Sequence, residues 1–158
     1  EPPPCARAPA SADGWRRVSA GPATLPLPPG YAADPSAPAD SGEIVASWST
    51  PSRAPSAPAG RIVLQVGRRG PEAGSAPQDS GGAGPRDARS CVLTAGGRTG
   101  TLSTVWFSDP TSATGRSYQT VARWEGLSGG RAAVLFMVSE TPADQARQQA
   151  AASALRIR

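Results

Sequence analysis

The run Ala132-Ala133-Val134-Leu135-Phe136-Met137-Val138, followed two residues later by Thr141-Pro142-Ala143-Asp144, decides the architecture of this chain. Its apolar residues do not alternate with polar ones, which predicts a central strand covered on both faces. Behind it, Thr141 suits a helix N-cap, Pro142 the first helical position, and Asp144 the place where an acidic side chain completes a capping arrangement. Ala146, Ala150, Ala154 and Ile157 then recur at helical spacing with Leu155 beside them, while Gln145, Arg147, Gln148 and Gln149 occupy much of the other side. A face built of alanine lets a helix lie close to a sheet. The expected end of the chain is therefore a core strand feeding a helix that packs back over its own sheet.

Working outward, the preceding segments read as further strands. Tyr118 to Trp124 reads as a strand before the turn Glu125 to Gly130, and Gly100 to Phe107 has Leu102, Val105 and Phe107 as its apolar members. Cys91 to Thr94 leads into Gly96-Gly97, a hairpin signal. Glu43 to Ser49 and Arg61 to Val66 are rich in β-branched and aromatic residues and are expected to pair antiparallel. Earlier still, Leu25 and Leu27 alternate with smaller or polar neighbours. Pro26 has no amide hydrogen, so that strand should lie at an edge or leave the position outside the ladder. Pro28-Pro29-Gly30 forces a turn that can fold Tyr31 back onto the same apolar face.

The fold class expected is thus α+β: an antiparallel sheet of about six to seven strands with a C-terminal α-helix packed on it. At 158 residues the chain is the size of one domain, and its hydrophobic content of 38% is low because Pro, Gly, Ala and Ser gather in particular stretches. Residues 1–13 read as a Pro-rich tail and residues 14–158 as a single domain, with long flexible loops at 51–60 and 68–90.

Composition also limits the chemistry. The chain has no histidine, and all its basic residues are arginine. The commonest proton shuttle and the commonest Schiff-base amine are therefore missing. The formal charge is +4, but the arginines are spread from Arg7 to Arg158 rather than gathered on one element, so nucleic acid is not an expected partner. No apolar run is long enough to span a membrane. The sequence opens at Glu1 without methionine, which suggests that an upstream segment is removed.

The two cysteines, Cys5 and Cys91, suit one disulfide in an oxidising compartment, which points to a secreted or periplasmic setting. The alternative is two free thiols, with Cys91 buried as a small apolar side chain. Their spacing matches no zinc pattern, and no metal or cofactor motif is found elsewhere. Gly81-Gly82-Ala83-Gly84-Pro85-Arg86 lacks the lysine and the Ser/Thr ending of a phosphate-binding loop and reads as linker. Ser128, between Leu127 and Gly129, has no histidine to activate it and reads as part of a hairpin turn.

Three features in this order resemble the Mog1/PsbP-like fold and its bacterial lipoprotein-like or secreted relatives. They are the Leu25-Pro26-Leu27-Pro28-Pro29-Gly30-Tyr31 turn, Gly96-Gly97 after the strand at Cys91, and the Tyr118 to Trp124 strand feeding an apolar strand and a closing helix. The resemblance covers about two-thirds of the chain, with Cys91 to Ile157 the stronger part. It implies an antiparallel sheet crossed by a C-terminal helix, and a protein that binds or stabilises other proteins. It supplies no ligand-binding motif. The loops at 51–60 and 68–90 are poor in helix formers, which implies that a flanking helix is absent and one sheet face is thinly covered.

Three functions from different classes follow. The first is a non-enzymatic exported accessory or protein-binding domain, peripheral to a cell-envelope complex, with Arg98, Arg116, Arg123 and Arg131 as the rim that meets a partner. The second is a small-molecule carrier whose pocket is lined by Trp15, Trp48, Trp106 and Trp124, although core packing is the commoner role for such residues. The third is a hydrolase using two carboxylates from among Glu43, Asp109, Glu125 and Glu140.

Overall fold

A computed structural model describes residues 2–6, 10–35, 44–50, 60–67 and 84–158. The loop at 51–60, apart from Gly60, most of the 68–90 loop, Glu43 and the Gly81–Ala83 part of the glycine-rich motif lie outside the described residues.

Among the described residues, two antiparallel sheets and one helix make up the fold. The strands are β1 (Arg17–Ala20), β2 (Ala23–Pro26), β3 (Ala32–Ala33), β4 (Ile44–Ser49), β5 (Gly60–Gly67), β6 (Arg86–Ala95), β7 (Arg98–Ser108), β8 (Arg116–Leu127), β9 (Arg131–Ser139) and β10 (Arg156–Ile157), with α1 (Pro142–Ser153) between the last two. The large sheet runs β3-β4-β5-β9-β8-β7-β6, and the small one β1-β2-β10. β9 lies at the centre of the large sheet, as its sequence requires. Its odd-numbered residues from Ala133 to Met137 pair with Trp124, Ala122 and Thr120 on β8, and with Val66, Leu64 and Ile62 on β5. This face joins α1 and the small sheet in one core, in which Leu25, Ile62, Trp124, Leu135, Met137 and Leu155 are almost fully buried. Each such side chain contributes roughly 1.5–3 kcal/mol of transfer free energy. On the opposite face Val134 is buried, but Phe136 and Val138 are only half-buried. Coverage on that second face thus holds for Ala132 and Val134 and only in part for Phe136 and Val138.

The α1 terminus follows its sequence: Thr141 Oγ1 accepts from the Asp144 amide at 3.1 Å, and Pro142 opens the first turn. Three details depart from the sequence reading. The Asp144 carboxylate does not turn back to the cap; it accepts the Tyr31 hydroxyl at 2.8 Å. The helix ends at Ser153, and Ile157 belongs to β10, which pairs with Ala23 and supplies the second partner that β2 would otherwise lack. The buried face is also rotated. Gln148, placed on the outer side from its polarity, is fully buried together with Ala151, Ala152 and Leu155. Its Nε2 donates to the Val138 carbonyl at 2.7 Å and to the Tyr31 hydroxyl at 3.0 Å, which offsets part of the cost of burying the amide, while its Oε1 has no partner among the described residues. Ala150 is buried as expected, whereas Ala146 and Ala154 are intermediate.

β2 is the middle strand of its sheet, not an edge. Pro26 is accommodated because β10 reaches only Thr24 and Ala23, and the adjoining ladder bond is made by the Leu27 amide to the Arg16 carbonyl at 2.7 Å. The Pro28–Tyr31 turn closes through the Tyr31 amide to the Pro28 carbonyl at 3.3 Å, with Gly30 at φ +91°. That positive φ is the type II requirement glycine meets. The largest correction concerns β6. It begins at Arg86, so residues 86–90 of the expected loop are strand; they form an exposed edge with no apolar alternation to announce it.

Candidate functional site

The cysteines form a disulfide, Cys5–Cys91. It fastens the N-terminal segment along the outer edge of β6, where the Cys5 amide donates to the Val92 carbonyl at 2.8 Å and the Val92 amide to the Pro3 carbonyl at 2.7 Å. This added segment becomes one wall of a groove of about 560 Å³, with Leu102 and Thr104 of β7 on its floor, Arg89 of β6 along it and Gln149 of α1 on the far side. The volume lies in the range of ligand pockets.

Two residues beyond Thr104 on the same strand face stands Trp106. Of the four tryptophans, Trp48 and Trp124 are buried and Trp15 packs against the core, but Trp106 is half-exposed and outside that core. Its register partners are Arg86 on β6 and Tyr118 on β8. The Arg86 guanidinium lies 5.4 Å from the ring centroid and that of Arg116 lies 4.1 Å from it. Both distances fall within the range of cation–π attraction. The indole N–H donates to Asp87 Oδ2 at 2.8 Å. Asp87 sits at φ +52° where the β6–β7 register shifts between Arg86 and Arg89. A bulge of this kind re-aims side chains at a strand edge. Arg86, Arg89 and Arg116 are exposed, and among the described residues none has a carboxylate within ion-pair distance.

The expected arginine rim is not one patch. Arg116 begins β8 beside Trp106, whereas Arg123 lies seven residues along the strand, about 23 Å away at the usual rise. Arg123 stands 3.8 Å from Glu125. Arg98 donates to the Ile157 carbonyl at 3.4 Å, tying β10 down, and Arg131 donates to the Ser128 carbonyl at 3.0 Å in the β8–β9 turn. Only Arg116 of the four joins the groove region. Arg86 and Arg89 were missed because they fell in a segment read as loop; the polar strand around them carries no hydrophobic signal.

Two of the carboxylate candidates, Asp109 and Glu140, both brace the loop between β7 and β8 by accepting its hydrogen bonds. Glu140 Oε2 accepts from the Ala113 amide at 2.6 Å, and Asp109 Oδ1 from Thr111 Oγ1 at 2.6 Å. Glu125 is near the opposite end of β8. The Asp34 carboxyl is held below its ordinary range by hydrogen bonds from Ser47 at 2.6 Å and Ser49 at 2.5 Å, and it binds β3 to β4. The Asp144 carboxyl is pushed up, chiefly by burial, beneath a Tyr31 hydroxyl that burial and the Asp144 charge push up as well.

The chain matches no protein-family model and no curated protein. Among the described residues no helix is long and apolar enough to cross a membrane, and no cluster of three metal-ligating side chains occurs.

Proposed function

We propose that the chain is a non-enzymatic, exported domain that binds another protein, acting as an accessory or peripheral subunit of a cell-envelope assembly on a scaffold of the Mog1/PsbP-like kind. The observation that carries this reading is the exposed Arg86–Trp106–Arg116 array beside the groove. Tryptophan and arginine dominate the residues on which protein interfaces depend. Here they are held in place by strand register, and neither guanidinium has a carboxylate within ion-pair distance among the described residues. The disulfide supports export, because such bonds persist in oxidising compartments. Asp109 and Glu140 are taken up by hydrogen bonds from the β7–β8 loop and Glu125 lies near the far end of β8, which favours binding over carboxylate catalysis.

The test is affinity purification of the tagged chain from the envelope fraction of its source cell. A protein retained in stoichiometric amount at low salt and released at high salt supports the proposal. A chain recovered alone under both conditions contradicts it.

A further inference from the structure

We infer that the groove between α1 and β6 takes an extended, acidic segment of the partner protein, clamped by Arg89 within the groove and by Arg86 and Arg116 at its Trp106 end. This inference rests on the protein-binding reading and adds the chemistry of the partner. Three observations converge on it.

The first is shape. The groove is open, Leu102 and Thr104 of β7 line it, and Trp106 follows on the same strand face four residues beyond Leu102. That is about 13 Å at the strand rise, the length of four to five extended residues. One wall is itself an extended segment, Pro3 to Ala6, bonded to the β6 backbone.

The second is charge. The guanidiniums of Arg86, Arg89 and Arg116 lack acidic partners among the described residues, while Arg123 and Arg147 have theirs at 3.8 and 3.5 Å. The nearby carboxylate of Asp87 accepts the Trp106 indole hydrogen, which fixes the ring instead of neutralising the arginines. An acidic ligand completes what the chain leaves open.

The third is alternation. Leu102, the disulfide and two prolines provide apolar contact within the groove, and arginine stands along it. An extended peptide presents successive side chains to opposite sides, so acidic and apolar residues in alternation match this surface. A nucleic acid needs a continuous basic track, and Arg98 and Arg131 are bonded to carbonyls in other parts of the sheet system.

The probe is a labelled octapeptide of alternating Glu and Leu, titrated into the intact, oxidised chain. Binding is followed by the nitrogen–proton resonance of the Trp106 indole, assigned by its loss in Trp106→Phe. The expected result is a saturable shift that weakens severalfold as salt is raised. Arg86→Ala, Arg89→Ala and Arg116→Ala should each reduce affinity by about three- to tenfold, the scale of one charge-assisted contact. These side chains are exposed, so the variants should melt like the parent. The inference is overturned if a Gln–Leu octapeptide shifts the indole equally, if the acidic peptide leaves it unmoved up to about 1 mM, or if poly-dT or anionic vesicles displace the peptide in preference. A co-purified partner held equally by the triple arginine variant also overturns this surface, while leaving the protein-binding reading intact. A chain that purifies without a partner yet binds the acidic peptide sinks that reading instead.

Discussion

Gly60 is required where it stands because Tyr31 and Asp144 meet above it. A Cβ there would overlap the Tyr31 hydroxyl and stand 2.6 Å from Asp144 Oδ2. Gly60→Ala should therefore cost about 2–3 kcal/mol as an overpacking change. The cost should fall in a Tyr31→Phe background, where the clashing oxygen is gone; equal costs from urea unfolding of the four proteins would show that the crowding lies elsewhere. Asp144 offers a second test through pH. Burial raises its carboxyl in the folded chain above the ordinary 3.8, with the Tyr31 hydrogen bond opposing. Its stability contribution is then complete below 3.8 and is lost as pH rises through the raised folded value. The parent should gain on Asp144→Asn as pH falls through that raised value toward 3.8, because Asp34 titrates identically in both proteins and cancels. A difference in urea midpoints that stays flat, or widens toward alkaline pH, contradicts the assignment. None of this was legible in the sequence. Tyr31 and Asp144 are 113 residues apart, and Gln148 reads as surface until the Val138 carbonyl beneath it is seen.

At the scale of elements, the disulfide does more than close a long loop. Cys5 and Cys91 are 86 residues apart, so the bridge contributes up to about 4–5 kcal/mol in the chain-entropy model. It also holds Pro3 over the Val92 amide. The Cys5→Ser/Cys91→Ser variant should thus be less stable by several kcal/mol, and the Val92 amide should exchange faster relative to amides of β9. Unchanged protection at Val92 would show that the N-terminal segment stays on β6 without the bond. The elements that could be read beforehand are those with a strong local signal: the apolar run of β9, the Thr141-Pro142 start of α1, and the glycine pairs between β6 and β7 and between β8 and β9. β6 could be read only from Cys91 onward, because Arg86 to Ser90 form an exposed edge whose strand character comes from pairing with β7. β10 was hidden for a related reason. Ile157 continues the helical spacing of α1, and pairing with β2 draws it and Arg156 into a sheet.

For the whole molecule, the long sheet, the helix and the small sheet form a frame that presents Trp106 and three guanidiniums without an acidic partner among the described residues beside a groove. The class of architecture was evident from the sequence. The site was not, since the arginines that build it come from β6 and β8 and meet only through strand register. Because the chain contains no lysine, a single Arg→Lys change supplies one amine at a chosen place. The terminal amine reacts in every version and sets the background. Arg89→Lys places the new amine in the groove, and Arg61→Lys places one on the opposite sheet face. Amine-reactive cross-linking of each variant to the co-purified partner is the decisive measurement. The account predicts a cross-link to the partner from Arg89→Lys and only background from Arg61→Lys; the reverse pattern would contradict it.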